Sequence, residues 1–354
     1  MKTKVIKLSF QNPDKGIIAD AAKVIRQGGL VVFPTETVYG IGADFSNPQA
    51  IQRLKTVKQR SEDKPFSVLI SEPEDVFRHT FFDKTIFYKL MDAYWPGPLT
   101  IVVPSKESGK TIGLRMPNHP IVAALIKEAQ CPIAAPSANL EGKPPALTCE
   151  AALKDLEGLV DVALDGGSVK LGVSSTVVDL SQESPRILRE GIITQREIDV
   201  IARMKNILFV CTGNTCRSVM AQYLLKQAVK NRDDVEVASA GTAVFFSSPP
   251  SKETLLVLKE LGVDASGHQA NNLTSRMIKK ADLIFVMSRA HRQYVLEKVP
   301  QADKRVYFVK EFVHSKEGLK EDLDIPDPIG SSEASYRQCA FIIKEAIQKI
   351  VDII

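Results

Sequence analysis

Apolar residues fall along the chain in short runs, and the rhythm of those runs changes near the middle. In the first half, Leu30–Phe33, Phe66–Ile70, Leu99–Val103, Thr111–Arg115, Ser175–Asp179 and Arg186–Arg189 have the length and β-branched content of strands. Residues 14–28 repeat apolar positions at helical spacing and stop at Gly28-Gly29. Asn47-Pro48 reads as the cap and first-turn proline of a second helix. Residues 119–128, and a segment capped by Thr148 and running to about Leu156, read as two more. Pro132–Asn139 reads as a strand that ends in a loop of small residues. Strands outnumber helices and alternate with them irregularly, which predicts an α/β domain with a twisted, mixed sheet.

The second half alternates regularly. Strands are expected at 207–210, 235–239, 282–287 and 305–308, and helices at 217–230, 251–261, 289–298 and from about 333. That order predicts a doubly wound parallel sheet. A helix over 194–203 ends the first rhythm and Met204-Lys205-Asn206 opens the second, so the domains are expected at 1–203 and 204–354. A chain of 354 residues is long for one core, in keeping with two. No Gly/Ser-rich or Pro-rich linker separates them, so a fairly stiff join is expected.

Composition narrows the classes. With 44% apolar and 25% charged residues the chain reads as globular, and a net charge of +4 from dispersed Lys and Arg offers no nucleic-acid tail or membrane patch. The N-terminus lacks the apolar core of a signal peptide, and no apolar run reaches membrane-spanning length. Five cysteines, an odd number, then argue for reduced thiols and a cytoplasmic protein. No Cys/His cluster has metal-ligand spacing, so no protein-held metal is expected.

The most chemically specific stretch is Cys211-Thr212-Gly213-Asn214-Thr215-Cys216-Arg217-Ser218, set between an expected strand and an expected helix. A loop entering a helix N-terminus presents backbone N–H groups and the positive end of the dipole to an anion. Arg217 can grip a phosphoryl group with two parallel hydrogen bonds. The same amides and charge would stabilise a Cys211 thiolate, with Ser218 donating to the sulfur, so Cys211 is expected as a nucleophile near neutral pH. A phosphate site also needs a proton donor, and Asp322, Asp324 and Asp327 compete for that role ahead of Pro328 and Gly330. Cys216 lies five residues from Cys211, and a reversible Cys211–Cys216 disulfide is one of two readings, a buried thiol being the other.

This stretch, with Ser239-Ala-Gly241, Gly267-His268 and Asp327-Pro328, resembles the low-molecular-weight phosphotyrosine phosphatase family over about 205–352. The resemblance implies that Cys211 attacks phosphorus and forms a phosphocysteine. It implies that Arg217 and the loop stabilise the transition state, that Asn214 and Ser218 hold the loop, and that Asp327 protonates the leaving group. Phe245 or Phe246 would line the cleft. Thr215 stands where many members carry isoleucine, and the loop is similar to the protein-arginine phosphatase branch. A phosphoarginine protein is therefore the expected substrate, with protein-tyrosine phosphatase as the alternative. Val219 and Gln222 depart from that branch, which often has proline and glutamate there. An arsenate reductase would need relay cysteines that are absent between Cys216 and Cys339.

In the first half, polar residues gather where strands end: Thr35, Arg115, Ser137, Asn139, Ser175 and Arg189. Strand ends are where α/β folds place ligands. No Gly-Lys-Ser/Thr phosphate loop occurs, so residues and spacing alone indicate only an anion pocket. Pro34–Gly40, Lys58-Gln-Arg60, Trp95–Thr100, Arg115-Met-Pro117, Pro136–Asn139 and Ser175–Asp179 occur in the order seen in the YrdC/TsaC-type threonylcarbamoyl-AMP synthase family, over about 8–195. This resemblance implies a reaction of L-threonine, bicarbonate and ATP to threonylcarbamoyl-AMP and pyrophosphate, with Mg2+ riding on the ATP. Thr35, Arg115 and Ser175 would hold threonine. Lys58, Arg60, Thr111, Ser137, Asn139 and Arg189 would hold ATP. The implied partners are separate transferase proteins that place t6A on tRNA, together with contact to tRNA itself. A carbamoyl-transfer domain or a non-catalytic RNA-binding domain are the alternatives for this half.

Overall fold

A computed structural model describes residues 2–59, 65–313 and 323–354. The chain divides into two compact units, Met1–Asp83 with Lys89–Ala202 and Lys84–Tyr88 with Arg203–Ile354.

The first half runs β1 (Lys4–Lys7), α1 (Lys15–Arg26), β2 (Val31–Phe33), β3 (Gly40–Asp44), α2 (Pro48–Lys58), β4 (Ser67–Leu69), α3 (Thr85–Tyr94), β5 (Leu99–Pro104), β6 (Thr111–Arg115), α4 (Pro120–Ala129), β7 (Ile133–Ala134), α5 (Cys149–Leu156), β8 (Val162–Asp165), β9 (Thr176–Asp179), β10 (Arg186–Arg189) and α6 (Gln195–Arg203). The strands form one mixed sheet in the order β1-β8-β2-β3-β7-β4-β6-β5-β9-β10. Local chemistry sets the helix ends where expected. Asp14 caps α1 by accepting from the Ile17 N–H, and Gly28 leaves its end at φ 83°. Asn47 accepts from the Gln49 and Ala50 N–H groups at the start of α2, and Thr148 accepts from Ala151 at α5. Apolar faces pack on both sides of the sheet. Leu30, Val32, Tyr39, Ile41 and Leu54 are buried in one cluster, and Ile25, Val31, Phe33, Leu125 and Leu164 in another.

The second half runs β11 (Lys205–Cys211), α7 (Arg217–Ala228), β12 (Val235–Gly241), α8 (Lys252–Glu260), α9 (Ser275–Lys280), β13 (Leu283–Val286), α10 (Arg289–Lys298), β14 (Val306–Phe308) and α11 (Glu333–Val351). Its sheet is all parallel, ordered β12-β11-β13-β14. Ile207, Phe209, Phe285 and the α11 residues Tyr336, Ile343 and Ile347 pack on one face, and Leu208, Val210, Ile284 and Val286 on the other. A central strand buried on both faces needs an unbroken apolar run, which β11 has. Among the described residues no helix is long and apolar enough to cross a membrane.

Candidate active sites

The cleft of the first unit is lined by Val38, Ser67, Thr100, Arg115, Ser137, Ser175 and Arg189, among others. Arg115 ends β6 and is buried. Its Nη2 donates to Glu36 Oε1 at 2.7 Å and to Thr37 Oγ1 at 2.8 Å, and its Nε to the Gly97 carbonyl at 3.4 Å. Thr35 folds the segment around itself. Its Oγ1 donates to the Val38 carbonyl at 2.6 Å, accepts from the Thr37 and Val38 N–H groups, and lies 2.9 Å from Thr37 Oγ1. Ser175, just before β9, lies 3.0 Å from Thr100 Oγ1.

Arg189 reaches Ser175 because of a bulge. The β9–β10 register pairs Ile187 with Val178 and Arg189 with Val177, so Leu188 is the extra residue and Arg189 turns to the other face. Its guanidinium donates to the Ser175 carbonyl at 2.9 and 3.1 Å and to Ser175 Oγ at 3.1 Å. Gly191 secures the same corner, since a Cβ there would lie 2.2 Å from the Ser174 carbonyl oxygen. Lys58, at the end of α2, gives its ammonium to the carbonyls of Ser137 (2.6 Å) and Asn139. Asn139 donates to the Leu140 and Lys143 carbonyls, and its buried Oδ1 has no partner among the described residues.

Arg115, Ser137, Ser175 and Arg189 therefore converge on the cleft, Thr35 reaches Arg115 only through Thr37 Oγ1, and Lys58 and Asn139 join through the Ser137 carbonyl. Thr111 does not. It starts the strand that Arg115 ends, is exposed, and pairs with Pro104. A strand rise of roughly 3.3 Å per residue separates it from Arg115 by about 13 Å. Arg60 lies outside the described residues. Glu36, Thr37 and Thr100 belong to the cleft's framework and were not singled out by the sequence. Only Glu36, a carboxylate enclosed between apolar runs, carried a signal that could have marked it.

In the second unit, β11 delivers Cys211 to the head of the loop and α7 begins at Arg217. The Cys211 sulfur lies 2.9 Å from Ser218 Oγ and accepts from the Asn214 N–H at 3.3 Å. Asn214 is the loop's pivot. Its φ of 54° is left-handed, a conformation asparagine tolerates better than most residues. Its side chain donates to Ser218 (2.9 Å) and Ser239 (2.7 Å) and accepts from the Asn271 N–H, while its carbonyl lies 3.1 Å from His268 Nε2. Gln222 extends the network by accepting from Ser239 at 2.5 Å, so a departure on the helix still bears on the loop. Gly241 must be glycine, because a Cβ would lie 2.4 Å from the Thr212 carbonyl oxygen. Among the described residues the amides of Thr212, Gly213, Thr215 and Cys216 have no protein acceptor, which is the donor set an anion requires.

Arg217 is buried. It donates through Nη1 to the Ile325 carbonyl at 3.0 Å and through Nη2 to Asp327, and its buried Nε has no partner among the described residues. Of the three acidic candidates, Asp327 is thus the one on Arg217. Asp324 instead accepts from the Arg289 N–H at the start of α10, and Asp322 lies outside the described residues. Phe245 and Phe246 are exposed. Cys216 is a free buried thiol whose sulfur lies 3.7 Å from both Ser251 Oγ and Tyr336 Oη.

The electrostatics differ from expectation at one point. A depressed thiol was expected for Cys211, yet burial pushes it up. Ser218, Arg217 and Asn214 pull the other way but do not outweigh the loss of water around a fully enclosed sulfur. His291, which the sequence did not flag, sits behind the loop, with Nε2 2.9 Å from Thr212 Oγ1 and Nδ1 2.8 Å from Ser288 Oγ. Burial lowers it from 6.5 to about 4. It is therefore neutral when folded and binds a proton more readily when unfolded. Its contribution to stability is present above about pH 6.5 and is lost as pH falls toward about 4. We expect the heat-unfolding midpoint to drop between about pH 7 and about pH 5, and His291→Gln to flatten that drop. An equally steep drop in the variant would show that this histidine does not carry it.

A hydroxyl- and cation-lined cleft in one unit and a cysteine-headed phosphate loop in the other define a two-site α/β enzyme that handles phosphate compounds. The Sua5/YciO/YrdC family model, described as telomere recombination, matches residues 23–191, and the low molecular weight phosphotyrosine protein phosphatase model matches 206–354. The putative threonylcarbamoyl-AMP synthase of Mycobacterium tuberculosis is 37% identical over 196 residues, 53% of this chain and 89% of that one. The chain belongs to the Sua5/YciO/YrdC family and carries a low-molecular-weight phosphatase domain after it. It spans only 58% and 56% of the longer curated relatives from Bacillus subtilis and Pyrococcus abyssi. The crystal structure of P. abyssi Sua5 complexed with L-threonine is similar at 25% identity over 86% of this chain and 99% of its own, with a TM-score of 0.54. YwlE arginine phosphatase from Geobacillus stearothermophilus aligns with 42% of this chain and 91% of its own at 35% identity and a TM-score of 0.38.

Proposed function

We propose that the protein is bifunctional: an L-threonylcarbamoyladenylate synthase followed by a cysteine-dependent protein phosphatase. The observation that carries the first half is the convergence of Arg115, Ser175, Arg189 and Ser137 on one cleft, in a family whose relatives include named threonylcarbamoyl-AMP synthases. Arg115, Thr35 and Ser175 take the threonine carboxylate and hydroxyl. Lys58, Ser137, Asn139 and Arg189 take ATP. The N-carboxylated threonine then attacks the α-phosphate and pyrophosphate leaves. Nucleotidyl transfer needs position and charge neutralisation more than covalent help, and the residues here supply both. No group of three or more His, Cys, Asp or Glu among the described residues forms a cation cage. Mg2+ would enter on the ATP phosphates and neutralise them there. The product adenylate feeds t6A transfer on tRNA by other proteins.

In the second half, Cys211 attacks phosphorus with Ser218 and Asn214 holding its sulfur. Arg217 exchanges Asp327 for a phosphoryl oxygen. Asp327, thereby released, takes up the proton that the Cys211 thiol loses, passes it to the leaving group and, again a carboxylate, later accepts one from the attacking water. Thr215 favours phosphoarginine, because its hydroxyl can bond a guanidine-phosphate nitrogen where an aliphatic side chain cannot. Two assays on one sample test the reading: pyrophosphate release that requires threonine, bicarbonate and ATP together, and phosphate release from phosphoarginine against phosphotyrosine peptides. Thr215→Ile is expected to shift the ratio of the two peptide activities toward phosphotyrosine by about tenfold, the value of roughly 1.4 kcal/mol in one hydrogen bond. An unchanged ratio would remove Thr215 from substrate selection.

A further inference from the structure

The cleft of the first unit, on the reading just given, must hold two kinds of anion side by side: a carboxylate and a chain of phosphates. An arginine binds both with the same fork of N–H donors. A bare cation in such a cleft favours the more highly charged of the two, since attraction scales with charge. Something has to keep Arg115 for the carboxylate. We propose that Glu36 is the selectivity element of the cleft: by pairing Arg115 it makes that guanidinium a clamp for a single carboxylate and closes it to phosphate.

The geometry is specific. Glu36 Oε1 accepts one hydrogen of Arg115 Nη2 at 2.7 Å, and Thr37 Oγ1 accepts from the same nitrogen at 2.8 Å. Nε is directed to the Gly97 carbonyl. Nη1 is left without a protein partner among the described residues, on a side chain that borders the cleft. The pair is enclosed, with side-chain exposure of 9% for Arg115 and 7% for Glu36. At that burial the carboxylate and guanidinium act as a neutral unit. One planar monoanion on Nη1 is tolerated. A group with two or more negative charges meets the Glu36 carboxylate at short range, poorly screened by water.

Glu36 cannot follow Arg115 toward a different ligand. Its second oxygen accepts from the Asn118 N–H at 3.2 Å. Its carbonyl accepts from the Leu171 N–H at 2.8 Å, and that of Thr37 from the Gly172 N–H at 3.0 Å. The Thr35 hydroxyl closes the turn on the other side. Glu36 thus acts through Arg115 and is a positioning residue.

The test is steady-state pyrophosphate release by the full chain, with inorganic tripolyphosphate as the phosphate probe. In the wild type, tripolyphosphate should compete with ATP and not with threonine. In Glu36→Gln the threonine KM should rise about tenfold or more, and kcat and the ATP KM should stay within about threefold. Tripolyphosphate should then also compete with threonine. An unchanged threonine KM overturns the proposal, as does a raised KM without the new competition. Glu36→Asp keeps the charge while shortening the reach. It should raise the threonine KM without admitting tripolyphosphate, and it decides the positioning role should Glu36→Gln fail to fold, an unchanged threonine KM again overturning the proposal. Absence of threonine-dependent pyrophosphate release from the wild type would instead sink the synthase reading itself.

Discussion

Cys211→Ser is expected to lower phosphatase kcat/KM by about 10⁴-fold or more and to leave threonine-dependent pyrophosphate release unchanged. The substitution keeps the shape of the site. A serine Oγ would occupy nearly the place of the sulfur, within reach of Ser218 Oγ and the Asn214 N–H. What is lost is an atom that can carry negative charge in this enclosure. The sulfur already pays for burial with a raised pKa. An alkoxide, far more basic, cannot form there at all near neutral pH. Phosphate release from a phosphoarginine peptide checks the prediction. A residual rate within about a hundredfold of the wild type would mean that another group attacks phosphorus. Loss of pyrophosphate release in the same variant would break the two-site reading.

The phosphate loop was legible because its parts are contiguous. An anion cradle needs a strand end, a turn and a helix start in succession, and residues 207–225 display all three with the cysteine and arginine in place. The cleft of the first unit draws on segments from Thr35 to Arg189, and spacing alone led only to an anion pocket there. What stayed hidden is contact across sequence distance. Nothing local ties His291 to Thr212, 79 positions away, or Glu36 to Arg115. The helices α3 and α9 were overlooked, and the strands overlooked have weak local patterns. β1 is mostly exposed and lysine-bounded, and β3 contains two glycines in Gly40–Asp44. β8 is short, and the alternating surface that would reveal it is absent because Val162, Ala163 and Leu164 are all buried. The bulge at Leu188 was equally invisible, since an extra residue leaves no mark on composition.

Lys58→Ala is expected to reduce pyrophosphate release by a hundredfold or more, about 2.7 kcal/mol of transition-state stabilisation, while phosphatase activity stays at the wild-type level. Lys58 is only 3% exposed. Its ammonium donates to the carbonyls of Ser137 and Asn139, and the Glu141 N–H donates back to the Lys58 carbonyl at 3.2 Å. The end of α2 is thereby laced to the loop that carries Ser137 into the cleft. Alanine removes the charge proposed for the nucleotide and also takes a donor from the buried Asn139 carbonyl, while the Ser137 carbonyl keeps the Asn139 N–H at 3.0 Å. A lost donor costs roughly 1–3 kcal/mol where water cannot replace the bond. The two losses separate in measurement. A structural loss alone lowers the melting temperature and leaves the ATP KM and kcat of the folded fraction near wild type. Loss of the cation raises the ATP KM and lowers kcat even where the variant is fully folded. Lys58→Arg discriminates further: it restores charge but brings a planar fork to a site shaped for a point charge between two carbonyls, so it should recover no more than about a tenth of the rate. Full recovery by arginine would mean that Lys58 supplies charge alone and that the loop holds its shape without it.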